Sequence, residues 1–507
     1  MEQGSLDARE INNQQKDTSS YRSIFKATSL FGGVQVYNIL LGIVRTKFVA
    51  VFLGTVGVGI MGLLQSATVL IREITALGLS TSAVRDVSEA NATNDKQKIG
   101  HTIAVLKRLV WLTGITGMVV VLVLAPLISK SSFGNYDYAI PICFLSVTLL
   151  LDQLNSGQMV ILQGMRRLKN LAKASAIGST LGTIVSIPLY FWLRINGIVP
   201  TLILVSAINL VISIFYAKKV RIDKEKVTTK AALTDGKVML RMGGAMTVSN
   251  VLVYASSYIL RAFIRKEGGV EEVGLFVAGF SLMNQYIGMV FTAMTTDYFP
   301  RLSAINKDNE KCTKTINQQA EIAILIIAPL MIALVTFVPI IINILYTEDF
   351  FKVAYYIVFA TAGVLFRSLA WSVAFVFVAK GNSNLYILNE TTANIYCLLF
   401  NIVGYEIGGL MGLGLATTLG MVLYTIQVFY IAKTRYGFTL YKPYIVLFMK
   451  QLPLLVLTII PFMLFHEFWS YAIGSIILFV SLIISYKGLN NRLGLNEILK
   501  NHLPNRS

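Results

Sequence analysis

From Phe25 onward the chain alternates long apolar runs with short polar breaks. The runs fall at 25–45, 57–77, 109–128, 139–163, 174–193, 197–216, 242–262, 273–299, 321–345, 353–378, 383–404, 408–431, 443–465 and 469–486. Each has the length that crosses about 30 Å of hydrocarbon as a helix, an element that satisfies its own backbone polar groups in lipid. The pattern predicts an all-α polytopic membrane protein with about fourteen transmembrane helices. Composition excludes a water-soluble chain: 55% of the 507 residues are apolar, 14% are charged, and mean hydropathy is +0.66.

The net charge of +18 raises the question of nucleic acid. Its distribution answers it. With Lys26 counted with the N-terminal end, and Arg45 and Arg261 with the loops they border, the two ends and the loops after even-numbered spans hold 33 of the 44 Lys and Arg residues, and the opposite loops hold 8. Basic residues resist translocation, so the rich side is cytoplasmic and both termini are expected there. Basicity is then a topology signal, and no nucleic-acid partner is expected. Met1 to Ser20 are polar with no apolar h-region, which reads as a disordered cytoplasmic tail and no cleaved signal peptide.

Residues recur at a nearly constant offset. Val58 and Gly59 match Val273 and Gly274 at 215, Arg45 matches Arg261 at 216, Gly164 matches Gly381 at 217, and Gly197 matches Gly412 at 215. This register brings spans 1–6 onto spans 7–12, so the expected core is two six-helix pseudo-repeat lobes in one orientation, followed by an extra C-terminal helix pair. The domain reading is a cytoplasmic polar tail at 1–22, an N-terminal lobe at 23–217, a basic cytoplasmic linker at 218–241, a C-terminal lobe at 242–434, and helices 13 and 14 with a cytoplasmic tail at 435–507. The linker carries eight Lys and Arg residues. It reads as a solvated, orientation-setting connector, with attraction to anionic lipid headgroups as the second reading.

Gly57-Val58-Gly59-Ile60-Met61-Gly62 matches a dinucleotide-binding pattern in letters only, because no strand precedes it and the glycines open a span. Close helix packing explains it, as it does the four-residue spacing of Gly408, Gly412, Ala416 and Gly420. Pro329, Pro339, Pro453 and Pro461 are the kink candidates. Three cysteines and three histidines, all scattered, offer no disulfide framework, metal centre or His-based triad. No catalytic residue, metal or cofactor is expected.

Charges inside spans carry the local signal, since a charge at the bilayer centre costs at least about 2.5–3.5 kcal/mol unless it faces protein or water. Arg45, Arg72, Arg261, Arg265 and Arg367 are the basic candidates for substrate binding; Asp152, Asp297 and Glu390 are the acidic candidates for ion coupling. The bland readings are snorkelling for Arg45 and Arg265, a cap of span 2 for Arg72, and an interhelical salt bridge for Arg367 and Asp152. An excess of arginine over acid suits an anion.

Ser23 to Asn91 resembles the opening of bacterial polysaccharide flippases of the O-antigen translocase or lipid III flippase type, in the multidrug/oligosaccharidyl-lipid/polysaccharide (MOP) exporter superfamily that includes the MATE transporters. The likeness rests on Phe25-Lys26-Ala27-Thr28, Phe31-Gly32-Gly33-Val34, Arg45-Thr46-Lys47-Phe48-Val49-Ala50, Leu53-Gly54, Gly57-Val58-Gly59-Ile60 and Gly78-Leu79-Ser80-Thr81-Ser82-Ala83-Val84-Arg85-Asp86. It implies a MATE-like fold whose central cavity opens alternately to each side of a bacterial inner membrane. It also implies an undecaprenyl-pyrophosphate-linked oligosaccharide as cargo, with Arg45, Arg72 and Arg261 on the pyrophosphate. Membrane lipids and polysaccharide polymerase machinery are the implied partners. The extra helix pair resembles that of lipid II flippases. Rival readings are a drug/cation antiporter on the same fold, which would favour acids over arginines, and a membrane glycan polymerase or ligase, which would need catalytic residues on a long outer loop.

Overall fold

The computed structural model describes the backbone of residues 2–220, 225, 227–464 and 467–493. The side chains of 2–32 and of several helix positions, Asp297 among them, lie outside the described residues, as do Arg221, Lys224 and Lys226 of the linker and the tail from 494. The described elements are helices: α1 (Glu2–Ala76), α2 (Leu79–Ala92), α3 (Lys96–Phe133), α4 (Ala139–Gly164), α5 (Leu168–Leu193), α6 (Ile198–Ala217), α7 (Thr229–Asp235), α8 (Lys237–Ala304), α9 (Asn309–Leu345), α10 (Val353–Ala379), α11 (Ser383–Tyr436), α12 (Lys442–Leu464) and α13 (Glu467–Leu493). Short 3-10 turns occupy Arg194–Gly197 and Glu348–Phe350. The polar N-terminal stretch is continuous with α1, where disorder was expected.

Three helices each carry two predicted spans, broken at Gly54 in α1, Gly269 in α8 and Gly408–Gly409 in α11. Counted on either side of those breaks, the described helices account for every predicted apolar run. Gly54, Gly269 and Gly409 have φ of 64°, 84° and 54°, a region in which a β-carbon clashes with the backbone. The breaks therefore come at glycines. Pro329 and Pro339 lie within α9, and Pro453 and Pro461 within α12, without ending them.

Backbone dihedrals sharpen the repeat. Gly54 and Gly269 stand 215 apart; so do Arg166 (φ 53°) and Gly381 (φ 75°), and Arg194 (φ 53°, ψ −133°) and Gly409 (φ 54°, ψ −138°). The same three turns recur at one offset. Arg166, and not Gly164, is thus the partner of Gly381. Each third span also opens on an aspartate cap: Asp95 accepts from the Gln97 and Lys98 amides, and Asp308 from those of Glu310 and Lys311.

The chain divides into two compact units, one of Met1–Leu53 with Leu64–Val251 and one of Gly54–Leu63 with Leu252–Ser507. In the first, α3 packs on α4, α4 on α6 and α5 on α6. Gly157 meets Val110 and Gly178 meets Asn209, so glycines admit the close approaches. The linker is not a solvated tether throughout. Its helix α7 docks on α3, burying Ala232, while Met239 at the start of α8 joins Leu106, Leu109 and Val110 in one apolar cluster. His101 of α3 clamps the same segment, with Nδ1 3.1 Å from Glu225 Oε2 and Nε2 3.0 Å from Asp235 Oδ2.

In the second unit α10 packs on α9 and α11, and α12 and α13 pack on α9. The small-residue face seen in sequence joins the two halves of α11. A β-carbon on Gly412 would fall 2.0 Å from the Gly404 carbonyl oxygen, and one on Gly420 2.9 Å from Cys397 Sγ. Gly408 belongs to the break instead. A buried polar clamp joins α12 to α13: Ser481 donates to Gln451 Oε1 at 2.7 Å, and Gln451 Nε2 donates to Ser485 Oγ at 3.0 Å. Large apolar side chains remain exposed, Ile407 at 82% and Trp192 at 74%. Such exposure suits hydrocarbon as the surrounding solvent.

Candidate functional site

In the first unit, Gln65, Thr68 and Arg72 of α1 and Leu145, Thr148, Leu149 and Asp152 of α4 line a cavity of about 310 Å³, with Ser206 of α6 at its wall. The spacings of three, four and seven residues set each series on one helix face. Arg72 Nη1 lies 3.4 Å from Asp152 Oδ2, with both side chains about one-third exposed. The pair joins two helices across polar open space. Arg72 is thus an interhelical partner of Asp152, not a cap on span 2.

The second unit holds Arg261, whose Nη1 donates to the Gly62 carbonyl oxygen at 3.0 Å while its buried Nε has no hydrogen-bond partner among the described residues. Gly62 belongs to the stretch Gly54–Leu63, which meets the start of span 8 in a reciprocal contact. A β-carbon on Gly59 would lie 2.0 Å from Val270 O, and one on Gly274 would lie 1.9 Å from Thr55 O. Thr55 and Val270, like Gly59 and Gly274, stand one repeat offset of 215 apart. Repeat-equivalent residues therefore meet each other, and the Gly-rich motif is a packing surface. Arg265, one turn along α8 from Arg261, is partly exposed.

A larger cavity of about 510 Å³ lies among α8, α10 and both halves of α11. Arg367 of α10 enters it with its guanidinium 5.5 Å from the centre of the Phe291 ring. It makes no hydrogen bond or direct ion pair among the described residues, while Tyr424 and the Glu390 carboxylate act on it through space. Glu390 of α11 lines the same space, and its Oε1 accepts from Tyr424 Oη at 2.6 Å and from Asn389 Nδ2 at 3.2 Å. Arg367 thus shares the cavity with an opposite charge but forms no direct ion pair with it among the described residues.

Arg45 is half-buried in α1 and, among the described residues, has no hydrogen bond or ion pair. Its pairing with Arg261 at 216 misses by one residue the register of 215 set by the break glycines, which is about 100° around a helix. The environments of the two arginines differ accordingly. Asp297 lies outside the described residues as far as its side chain is concerned. Sequence reading missed the His101 clamp, the Gln451 clamp and the aromatic wall around Trp371. Polar residues inside apolar spans signalled the second, but nothing local signals which helices meet.

A family model described as a polysaccharide biosynthesis protein matches residues 48–355, and one described as the lipid II flippase MurJ matches residues 280–482. No curated protein matches. Among solved structures, lipid II flippase MurJ in an inward closed conformation is similar at a TM-score of 0.67 and 14% identity, covering 92% of this chain and 99% of that one. An inward-facing multidrug resistance MATE family transporter of the MOP superfamily is similar at 0.64 and 15% identity, covering 79% and 94%. A MOP superfamily transporter from Pyrococcus furiosus with a binding pocket of reverse polarity is similar at 0.57 and 15% identity, covering 81% and 96%. At these identities the structures speak for the fold, while the first family model spans more than half of the chain. With its glycine-broken helices and its polar cavities inside apolar bundles, the chain belongs to the polysaccharide biosynthesis protein family and has a fold like that of MurJ and the MATE transporters.

Proposed function

We propose that the protein moves an undecaprenyl-pyrophosphate-linked oligosaccharide, an O-antigen unit or related surface glycan, from the cytoplasmic to the outer leaflet of a bacterial inner membrane by alternating access. The observation that carries the reading is the family match over residues 48–355. The cationic groups placed inside spans support it: Arg45 and Arg72 in the first unit, Arg261, Arg265 and Arg367 in the second. A sugar chain and a pyrophosphate cannot enter hydrocarbon unaided, because each unpaired polar group costs several kcal/mol there. The lipid tail has no such cost, so the head group alone needs a polar path. Arg45, Arg72 and Arg261, with Arg265, serve as phosphate-binding groups, since guanidinium binds phosphate oxygens in a fixed fork. Of the three acidic candidates, Asp152 and Asp297 are the proposed ion-coupling groups; Glu390 shares its cavity with Arg367. The excess of positive charge on the rich loops supports cytoplasmic termini.

Arg45→Ala and Arg261→Ala test the assignment in vesicles reconstituted with purified protein and a fluorescent lipid-linked oligosaccharide. Loss of translocation with normal insertion is expected of both. Flipping at the wild-type rate would overturn their role.

A further inference from the structure

The cavity of about 510 Å³ in the second unit has a lining that transport of a pyrophosphate does not require. Arg367 brings five N–H donors and no described acceptor to it. Glu390 uses Oε1 for Tyr424 and Asn389, leaving Oε2 without a hydrogen bond among the described residues. Asn394 spends its amide on the Glu390 carbonyl at 2.8 Å and keeps its side-chain oxygen; Asn401 accepts from Thr417 at 3.1 Å and keeps its amide. Donors and acceptors thus line one space, and each has capacity left among the described residues. Trp371 and Tyr386 add flat apolar faces to the wall. Trp371 is held in place by Phe291 and Phe375, both at 5.1 Å between ring centres.

Arg367 is exposed and Glu390, Asn394 and Asn401 are partly exposed on this wall, so their remaining capacity is open to a ligand. The volume falls in the range of small-molecule sites, which combine apolar and aromatic walls with a few convergent polar groups. A bare phosphate would meet Arg367 but also the carboxylate of Glu390. A bare cation would meet Glu390 but also the guanidinium. A pyranose ring meets both: each hydroxyl donates and accepts, and its C–H face lies flat on an indole or phenol ring. We propose that this cavity is a binding site for one neutral pyranose ring of the transported glycan, with Arg367 donating to hydroxyl oxygens, Glu390 Oε2 accepting from a hydroxyl, and Trp371 stacking on the sugar. The site deepens the flippase reading and rests on it: it reads the sugar, apart from the groups that hold the phosphate.

The probe is the water-soluble oligosaccharide released by mild acid from the lipid-linked intermediates of the source cells. Full-length protein carrying Trp371 as its single tryptophan, with Trp111, Trp192 and Trp469 replaced by Phe, reports the site by fluorescence. Saturable change on adding the oligosaccharide is expected, with affinity falling at least tenfold in Arg367→Gln and in Glu390→Gln. Glu390→Gln keeps size and folding, so its effect isolates the lost acceptor. Flipping by the unmodified protein with no Trp371 response in the single-tryptophan protein would overturn the sugar site and leave the flippase reading standing; no flipping by the unmodified protein together with no Trp371 response would overturn the reading beneath it. A response to sodium ions that the oligosaccharide neither causes nor alters would also overturn the proposal.

Discussion

The reciprocal glycine contact gives a quantitative prediction. In Gly59→Ala the new β-carbon starts 2.0 Å from Val270 O, and ordinary contact begins at 3.4 Å, with 3.0 Å as the tight limit. The backbones must separate by about 1.0–1.4 Å, a displacement of the kind that costs about 1–3 kcal/mol in a packed interior. Gly274→Ala meets the same obstacle from the other side, at 1.9 Å from Thr55 O. One separation relieves both clashes. The double variant should therefore cost little more than either single one, leaving a coupling of about 1–3 kcal/mol that residues without a shared displacement would not show. Gly244→Ala is the control: that glycine is helical and its new β-carbon would meet nothing within 4 Å, so alanine should be neutral or gain up to about 1 kcal/mol of helix propensity. Hydrogen exchange of amides 55–63 and 270–278, read with the thermal midpoint in micelles, measures each variant. Strictly additive losses, or no loss at either site, would refute the close approach.

Replacing Gln451 by Leu removes the buried clamp between α12 and α13; interhelical bonds in membranes average about 0.6 kcal/mol each, so a loss of about 1–2 kcal/mol in thermal or SDS-induced unfolding is expected, and an unchanged midpoint would contradict it. The Asp308 carboxyl is held below the usual carboxylate range, first by the Lys311 backbone amide and then by the Lys311 side chain. Its capping of α9 is present above the unfolded value of about 4 and lost as pH falls through the lowered one, so amides 310–312 should exchange faster in acid, and Asp308→Asn should flatten that dependence. His101→Ala frees Glu225 and Asp235, and trypsin should then cut faster at Lys230; an unchanged rate would show that the apolar docking of Ala232 alone holds the linker.

The helices were legible because lipid imposes one length and one composition on every span. The duplication was legible in residues such as Gly59 and Gly274, but its true register emerged from turns that tolerate Arg166 and Arg194 where the other copy has glycine. Residue identity drifts at such positions while the backbone keeps its path. Arg72 and Asp152 were visible as costly charges, yet their pairing was not, since a separation of eighty residues carries no local pattern. Arg367 shows the same gap in reverse: an arginine inside an apolar span predicts an ion-pair partner, and the structure gives it an aromatic ring and an exposed place on a cavity wall that it shares with Glu390. The linker was misjudged because charge counts overlook Ala232 and Met239, two apolar residues among many lysines that suffice to dock it.

Lipid movement itself is the most direct test of the central claim. Vesicles containing the purified protein and a labelled undecaprenyl-pyrophosphate oligosaccharide are compared with protein-free vesicles, following the label exposed on the opposite leaflet. The expected result is rapid, protein-dependent exposure of the glycan lipid. A rate equal to that of empty vesicles, or protein-dependent movement of organic cations in its place, would contradict a glycan-lipid flippase.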